Sequence, residues 1–168
     1  FQDRGDEQRL ACVVLQRAFN DQRHGNYEIS LENAKRILDQ ALPTSIHAWA
    51  WRIAGCAYMG SGQFSNAIAA FRTSAEMYQS AGSPYERTQI LQDLSSALVR
   101  QGDFNEGIRI LHEVVALCRT GDNNIALAVA LNNLGTALHY SSHYEETMAI
   151  LEEARKLLPD MESRAAAY

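Results

Sequence analysis

The sequence predicts an all-α fold, a solenoid of antiparallel helix pairs. Three observations predict it. The stretch Leu131–Pro159 reads as two amphipathic helices joined by a tight turn. Its key residues recur upstream every 40 residues: Leu134-Gly135 follows Leu94-Ser95 and Ala54-Gly55, Ala137 follows Ala97 and Ala57, and Tyr144 follows Phe104 and Phe64. A fixed period of roughly 20–50 residues is the mark of stacked repeats. Finally, 46% of the chain is hydrophobic and only three residues are proline, which suits a folded, mostly helical chain.

The elements follow in order. Residues 1–5 read as a frayed lead-in. From Asp6 to Arg23, Leu10, Val13, Val14, Arg17 and Ala18 fall at helical spacing. His24-Gly25-Asn26 breaks that helix, since Gly and Asn tolerate the left-handed conformation at a helix end. A second helix spans Tyr27–Ala41, with Leu31, Ala34, Ile37, Leu38 and Ala41 on one stripe. It stops at Leu42-Pro43 because Pro disfavours helical geometry in the residue before it. This first pair, 6–42, lacks a small-residue partner for Gly55 in clear register, as terminal repeats often do.

The second pair covers 45–80. Thr44 or Ser45 is placed to cap its first helix, Gly60-Ser61-Gly62 is the turn, and the return helix starts near Phe64. The third pair, 84–119, opens with Pro84, whose missing N–H costs nothing in a first turn. It turns at Gln101-Gly102, with Asp103 as a cap. The fourth pair, 123–158, turns at Ser141-Ser142. Met161–Tyr168 sits one period after Gly121–Ala128, so 162–168 reads as the start of a further first helix. The chain starts at Phe1, and we read the whole, 1–168, as one array within a longer protein.

The repeated residues explain why the helices would stack. Gly55, Ser95 and Gly135, with Ala57, Ala97 and Ala137, let backbones approach. Trp51, Leu91 and Leu131, with Phe71, Leu111 and Leu151, fill the space around them. The aromatic at Phe64, Phe104 and Tyr144 is expected to plug each turn. One pair cannot bury both faces alone, so stability is a sum of nearest-neighbour terms.

Trp51, Ala54-Gly55, Tyr58, Ala67 and Phe71 match the tetratricopeptide pattern in the second pair. Leu134-Gly135, Tyr144, Ala154 and Pro159 match it in the fourth. The chain therefore resembles the tetratricopeptide repeat (TPR) family, well from Ala48 to Pro159 and loosely in the first pair. The third pair departs at Ser95 and Gly107. The usual period of that family is 34 residues, and the 40 found here resembles its longer variant, with lengthened helices and polar connectors. The resemblance implies a right-handed superhelix whose first helices line a concave face.

Little else suggests chemistry. The net charge of −5, with scattered Lys and Arg, argues against a nucleic-acid surface. Cys12, Cys56 and Cys118 form an odd set without CxxC spacing. We read them as reduced thiols in a cytoplasmic setting, not as metal ligands or a disulfide framework. His139 and His143 straddle a turn and lack the carboxylate of a zinc motif. No phosphate-binding loop, signal peptide or long apolar run is present. No cofactor, no metal and no catalytic activity are expected.

The remaining candidate is the concave face that the resemblance implies. Its rows place Arg52, Gln92 and Asn132 together, then Cys56, Ser96 and Thr136, then Met59, Val99 and His139. Trp49 and Gln89 precede the first row, and Arg100 and Tyr140 follow the third. Arg52, Gln92 and Asn132 can hydrogen-bond a peptide backbone, and Trp49, Met59 and Tyr140 can hold apolar side chains. The competing reading is polar residues on a free helix face.

The leading expectation is thus a protein–protein interaction module that binds a peptide or partner protein in the groove. The alternatives are a regulatory arm of a larger bacterial-type transcription activator or signalling ATPase, and a self-associating scaffold. The last follows because open arrays expose apolar end faces.

Overall fold

In the computed structural model, residues 2–121 and 123–157 are described. They form eight α-helices and, among the described residues, no strand: α1 (Gln2–Arg23), α2 (Tyr27–Leu38), α3 (Thr44–Gly60), α4 (Phe64–Ser80), α5 (Pro84–Gln101), α6 (Phe104–Arg119), α7 (Asn124–Tyr140) and α8 (Tyr144–Leu157). The helix expected over 162–168 lies outside the described residues, as do Asp122, Leu158 and Pro159. The chain divides into two compact units, Phe1–Ala97 and Leu98–Tyr168, with the division inside α5.

In the first unit, α1 packs on α2 and α3, α2 on α3, and α3 on α4. The core of α1–α3 is built from Ala11, Leu15, Ala18, Ala34, Ile37, Ala50, Ile53 and Ala54. Small residues let the backbones approach. At Gly55 an added Cβ would lie 2.5 Å from Cε1 of Phe71, so α4 lays a large, fully buried side chain directly on the α3 backbone. Buried polar groups are tied across helices: Ser74 donates to the Ala48 carbonyl at 2.8 Å, and Gln22 donates to the Ile53 carbonyl and to Ser30. In the second unit α7 packs on both α6 and α8. Gly135 repeats the close approach, since a Cβ there would meet Cδ2 of Leu151 at 2.7 Å.

The turns share one device. The second residue past the end of each pair's first helix, or in α5 the first, adopts positive φ: Gly25, Gly62, Gly102 and Ser142, at 80°, 77°, 94° and 66°. This left-handed residue reverses the chain and lets the exposed C-terminal carbonyls find donors. In the second pair Gln63 N–H reaches back to the Tyr58 carbonyl at 2.8 Å; Asp103 and His143 do the same to Leu98 and Leu138. Asp103 also caps α6 by accepting from the Glu106 N–H at 3.2 Å, and Asn123 caps α7 through Ala126.

Several expectations are corrected. Helix α1 begins at Gln2, not Asp6; once a helix is nucleated, adding polar residues outward costs little. Its buried stripe is Ala11, Leu15 and Ala18, whereas Leu10 and Val13 are each 65% exposed and Arg17 is exposed. The turn at Gly25 sets the register of this pair, which places Ala18 and Ala34 where the second pair has Gly55 and Phe71. The small partner missing from the first pair is therefore Ala18; it shares a core with Ala34, and both are 0% exposed.

Helix α2 ends at Leu38, with Asp39 as its C-cap, and Ala41 is exposed rather than on the apolar stripe; Pro43 disfavours helical geometry at Leu42, so the helix does not resume before α3. Neither Thr44 nor Ser45 caps α3. Pro43 occupies the cap position with no side-chain bond, and its carbonyl takes the N–H groups of Ile46 and His47. Phe64 and Phe104 are half-buried as turn plugs should be, but Tyr144 is 59% exposed and Leu151 37% exposed. Tyr27 shows what such an aromatic needs: its ring lies on Gly60 at the end of the next first helix. Among the described residues no such helix follows α8.

Ala137 is 1% exposed within the α7–α8 packing. Ala137→Leu is expected to overpack that contact and lower stability by about 1–3 kcal/mol, read as a lower midpoint in denaturant followed by circular dichroism.

Candidate interaction surface

Two sets of side chains stand on the outward faces of first helices, one in each unit. In the first unit, Trp49, Arg52, Cys56 and Met59 follow one another along α3 at helical spacing, and all are half-buried. Gln89, Gln92, Asp93 and Ser96 occupy α5 and are also half-buried. The two helices meet through Arg52. Its Nε donates to Oδ2 of Asp93 at 2.9 Å and its Nη1 donates to Oε1 of Gln89 at 3.0 Å. The guanidinium is thereby held in one orientation, with 32% of the Arg52 side chain and 25% of the Asp93 side chain still exposed.

The electrostatics of this cluster follow from its burial. Desolvation raises the Asp93 carboxyl above its ordinary range, and the charge and hydrogen bond of Arg52 pull against that. Burial pushes the Cys56 thiol up to about 12; the negative charge of Asp93 adds to the rise and Arg52 opposes it. The Tyr78 hydroxyl on α4 is raised first by burial, with Arg52 opposing and Glu86 adding. Cys56 at neutral pH is thus a protonated thiol in a half-buried wall. A nucleophile needs the thiolate, and this environment suppresses it.

In the second unit, Asn132, Thr136, His139 and Tyr140 lie exposed along α7. Thr136 donates to the Asn132 carbonyl of its own helix at 2.9 Å, and Tyr140 is 64% exposed. His139 is flanked edge-on by Tyr140 and Tyr144, with ring centroids 6.0 Å and 5.7 Å away. Arg100 is exposed near the end of α5. His143 pairs through Nδ1 with the Ser141 hydroxyl at 2.8 Å, which makes it part of the turn. Among the described residues no three His, Cys, Asp or Glu side chains gather as a metal site. No described helix is long and apolar enough to cross a membrane.

The structure therefore brings Arg52 together with Gln89, and His139 together with Tyr140. Asp93 and Tyr78 complete the first cluster and were missed from sequence. A signal for Asp93 exists: it stands one residue past the repeat equivalent of Arg52, on the same stripe as Gln89.

A chain of short-turned helix pairs with outward-facing polar and aromatic stripes defines a helical-repeat protein. It belongs to the tetratricopeptide repeat family, which matches residues 86–160 and 50–80. Solved structures share the fold. BtubC (BKLC) from P. vanneervenii is similar with a TM-score of 0.80 at 12% identity, over 95% of this chain and 65% of that one. A kinesin light chain protein of Podosopora anserina with nearly identical TPR-like repeats gives 0.75 at 17% identity, over 88% and 74%. A Rap protein complexed with Competence and Sporulation Factor gives 0.73 at 14% identity, over 86% and 41%. No curated protein sequence matches this chain.

The raised Cys56 pKa carries a sign. Between 9.0 and about 12 the unfolded chain loses the thiol proton first. The contribution of Cys56 to stability is present below pH 9.0 and is lost as pH rises toward 12. Denaturant midpoints measured on both sides of that window are expected to fall more for the wild type than for Cys56→Ala.

Proposed function

We propose that this chain is a non-catalytic protein-interaction module that holds a peptide or partner protein along the outward faces of its first helices. The observation that carries the reading is Arg52. A guanidinium oriented by Gln89 and Asp93, and still partly open to solvent, is a pre-set donor for a partner carbonyl or carboxylate. Trp49 and Met59 flank it on α3, and Gln92 and Ser96 lie beside it on α5. The α7 stripe of Asn132, Thr136, His139 and Tyr140 offers the same mixture: amide, hydroxyl and ring.

This composition suits an extended or helical segment, bound through backbone hydrogen bonds and held by anchor side chains. The tetratricopeptide family favours the same reading, and one structural neighbour, the Rap protein, was solved with Competence and Sporulation Factor bound.

The test is affinity capture from lysate of the source organism with wild type and with Arg52→Ala, Gln92→Ala, Asn132→Ala combined. Equal helicity by circular dichroism is the entry condition. Arg52→Ala with Asp93→Ala serves as the control, since it removes the ion pair without stranding a buried carboxylate. A partner kept by wild type and lost by the triple variant supports recognition on this face. A partner kept equally by both moves the site to the second helices or the connectors.

A further inference from the structure

Successive first helices of the first unit are joined in two different ways. The positive-φ turn residues Gly25, Gly62 and Gly102 set the register. In that register Leu15 on α1 is the equivalent of Arg52 on α3, and Ile53 on α3 is the equivalent of Asp93 on α5. Leu15 and Ile53 are 0% and 1% exposed and share one core where α1 meets α3, with Trp49 packed against it. One repeat on, the same two positions hold an ion pair, Arg52 Nε to Asp93 Oδ2 at 2.9 Å. Gln89, at the position of Trp49, accepts from Nη1 at 3.0 Å. Apolar side chains in place of such a pair are often neutral or stabilising. Leu15 and Ile53 close the joint without charge, so packing does not account for Arg52 and Asp93.

The pair leaves a matched set of groups open. Arg52 uses Nε and Nη1, and Nη2 has no acceptor among the described residues. Asp93 accepts through Oδ2, and its Oδ1 takes no hydrogen bond among the described residues while 25% of the side chain stays exposed. A free donor and a free acceptor thus belong to one ion pair, and its charges cancel. An ionised carboxylate only accepts, and would be laid against the Asp93 carboxylate. An ammonium or guanidinium only donates, and would face Arg52. A trans peptide unit points its C=O and N–H in opposite directions, so it meets one group and strands the other. A primary carboxamide presents a C=O and an N–H on one edge, to accept from Nη2 and donate to Oδ1.

We propose, resting on the partner-binding reading above, that Arg52 and Asp93 form a subsite for the side-chain carboxamide of an Asn or Gln in the bound segment. Asp93 is the residue that excludes Asp and Glu from it. Gln89 is a positioning residue, which holds Nη1 and leaves Nη2 to the ligand.

The test is selection of a displayed random-peptide library on the full chain, followed by titration calorimetry of the enriched peptides. The binders are expected to share an Asn or Gln and to lose affinity on Arg52→Ala, with folding checked by circular dichroism. Changing that Asn or Gln to Asp or Glu in the synthetic peptide should weaken binding to wild type at least about tenfold, since it removes a donor and sets two carboxylates together. Asp93→Asn should narrow or reverse the difference, because Arg52 then faces the new carboxylate unopposed. The exchange on the peptide side needs no protein variant, so it decides the proposal even where Asp93→Asn does not fold. Arg52-dependent binders that lack a shared Asn or Gln, or that bind equally well with Asp or Glu there, overturn the carboxamide subsite and leave the partner-binding reading standing. Binders indifferent to Arg52→Ala overturn the subsite as well, and unchanged discrimination by a folded Asp93→Asn overturns the role of Asp93. A library that yields no binder overturns both the subsite and the peptide-binding reading beneath it.

Discussion

The structure depends on the close approach of a second helix to the backbone of the first, made possible by a small residue facing a large one. Gly55 under Phe71 and Gly135 under Leu151 are the direct cases. Ala18 and Ala34 hold the equivalent positions in the first pair with two small side chains, both fully buried in one core. Volume is conserved less strictly than fit: what matters is that the two backbones can come close and leave no gap. Ser95 meets the same demand with a hydroxyl, which is satisfied within its own helix by the Gln92 carbonyl at 2.7 Å. Once these contacts are in place, the orientation of each pair follows, and so does the direction in which the remaining faces look.

That constraint also arranges the candidate surface. Packing consumes the stripes Ala54, Ala57 and Leu134, Ala137, so the neighbouring stripes on the same helices point outward. Arg52 and Asp93 sit at the margin between the packed and open stripes. They are buried enough to disturb the Asp93 carboxyl and the Cys56 thiol, yet open enough to be reached. A half-buried ion pair of this kind contributes little net stability. Its consequence is orientation, since Arg52 is held by two acceptors on a different helix.

The sequence by itself determined the helix pairs, their turns and the small–large logic. Those depend on local chemistry: apolar residues at helical spacing, Gly25, Gly62 and Gly102 at left-handed turns, Pro84 opening α5, and Asp103 capping α6. Such signals act within a few residues and survive being read one segment at a time. Local reading failed where two segments compete for the same residue. Pro43 displaced Thr44 and Ser45 as the cap of α3, and the true register of α1 put Ala11 and Leu15 inside beside the expected Ala18, in place of Leu10 and Val13.

Tertiary structure alone decided which equivalent positions are covered. Val13 and Ala50, or Leu151 and Leu111, occupy equivalent repeat positions and differ in exposure because, among the described residues, only one of each has a neighbouring pair against it. Burial is a property of the neighbour as much as of the residue, and the neighbour is a repeat away in sequence. The same reason hid Asp93. Its significance arises from lying within hydrogen-bonding distance of Arg52, on a helix that meets α3 only after both have packed.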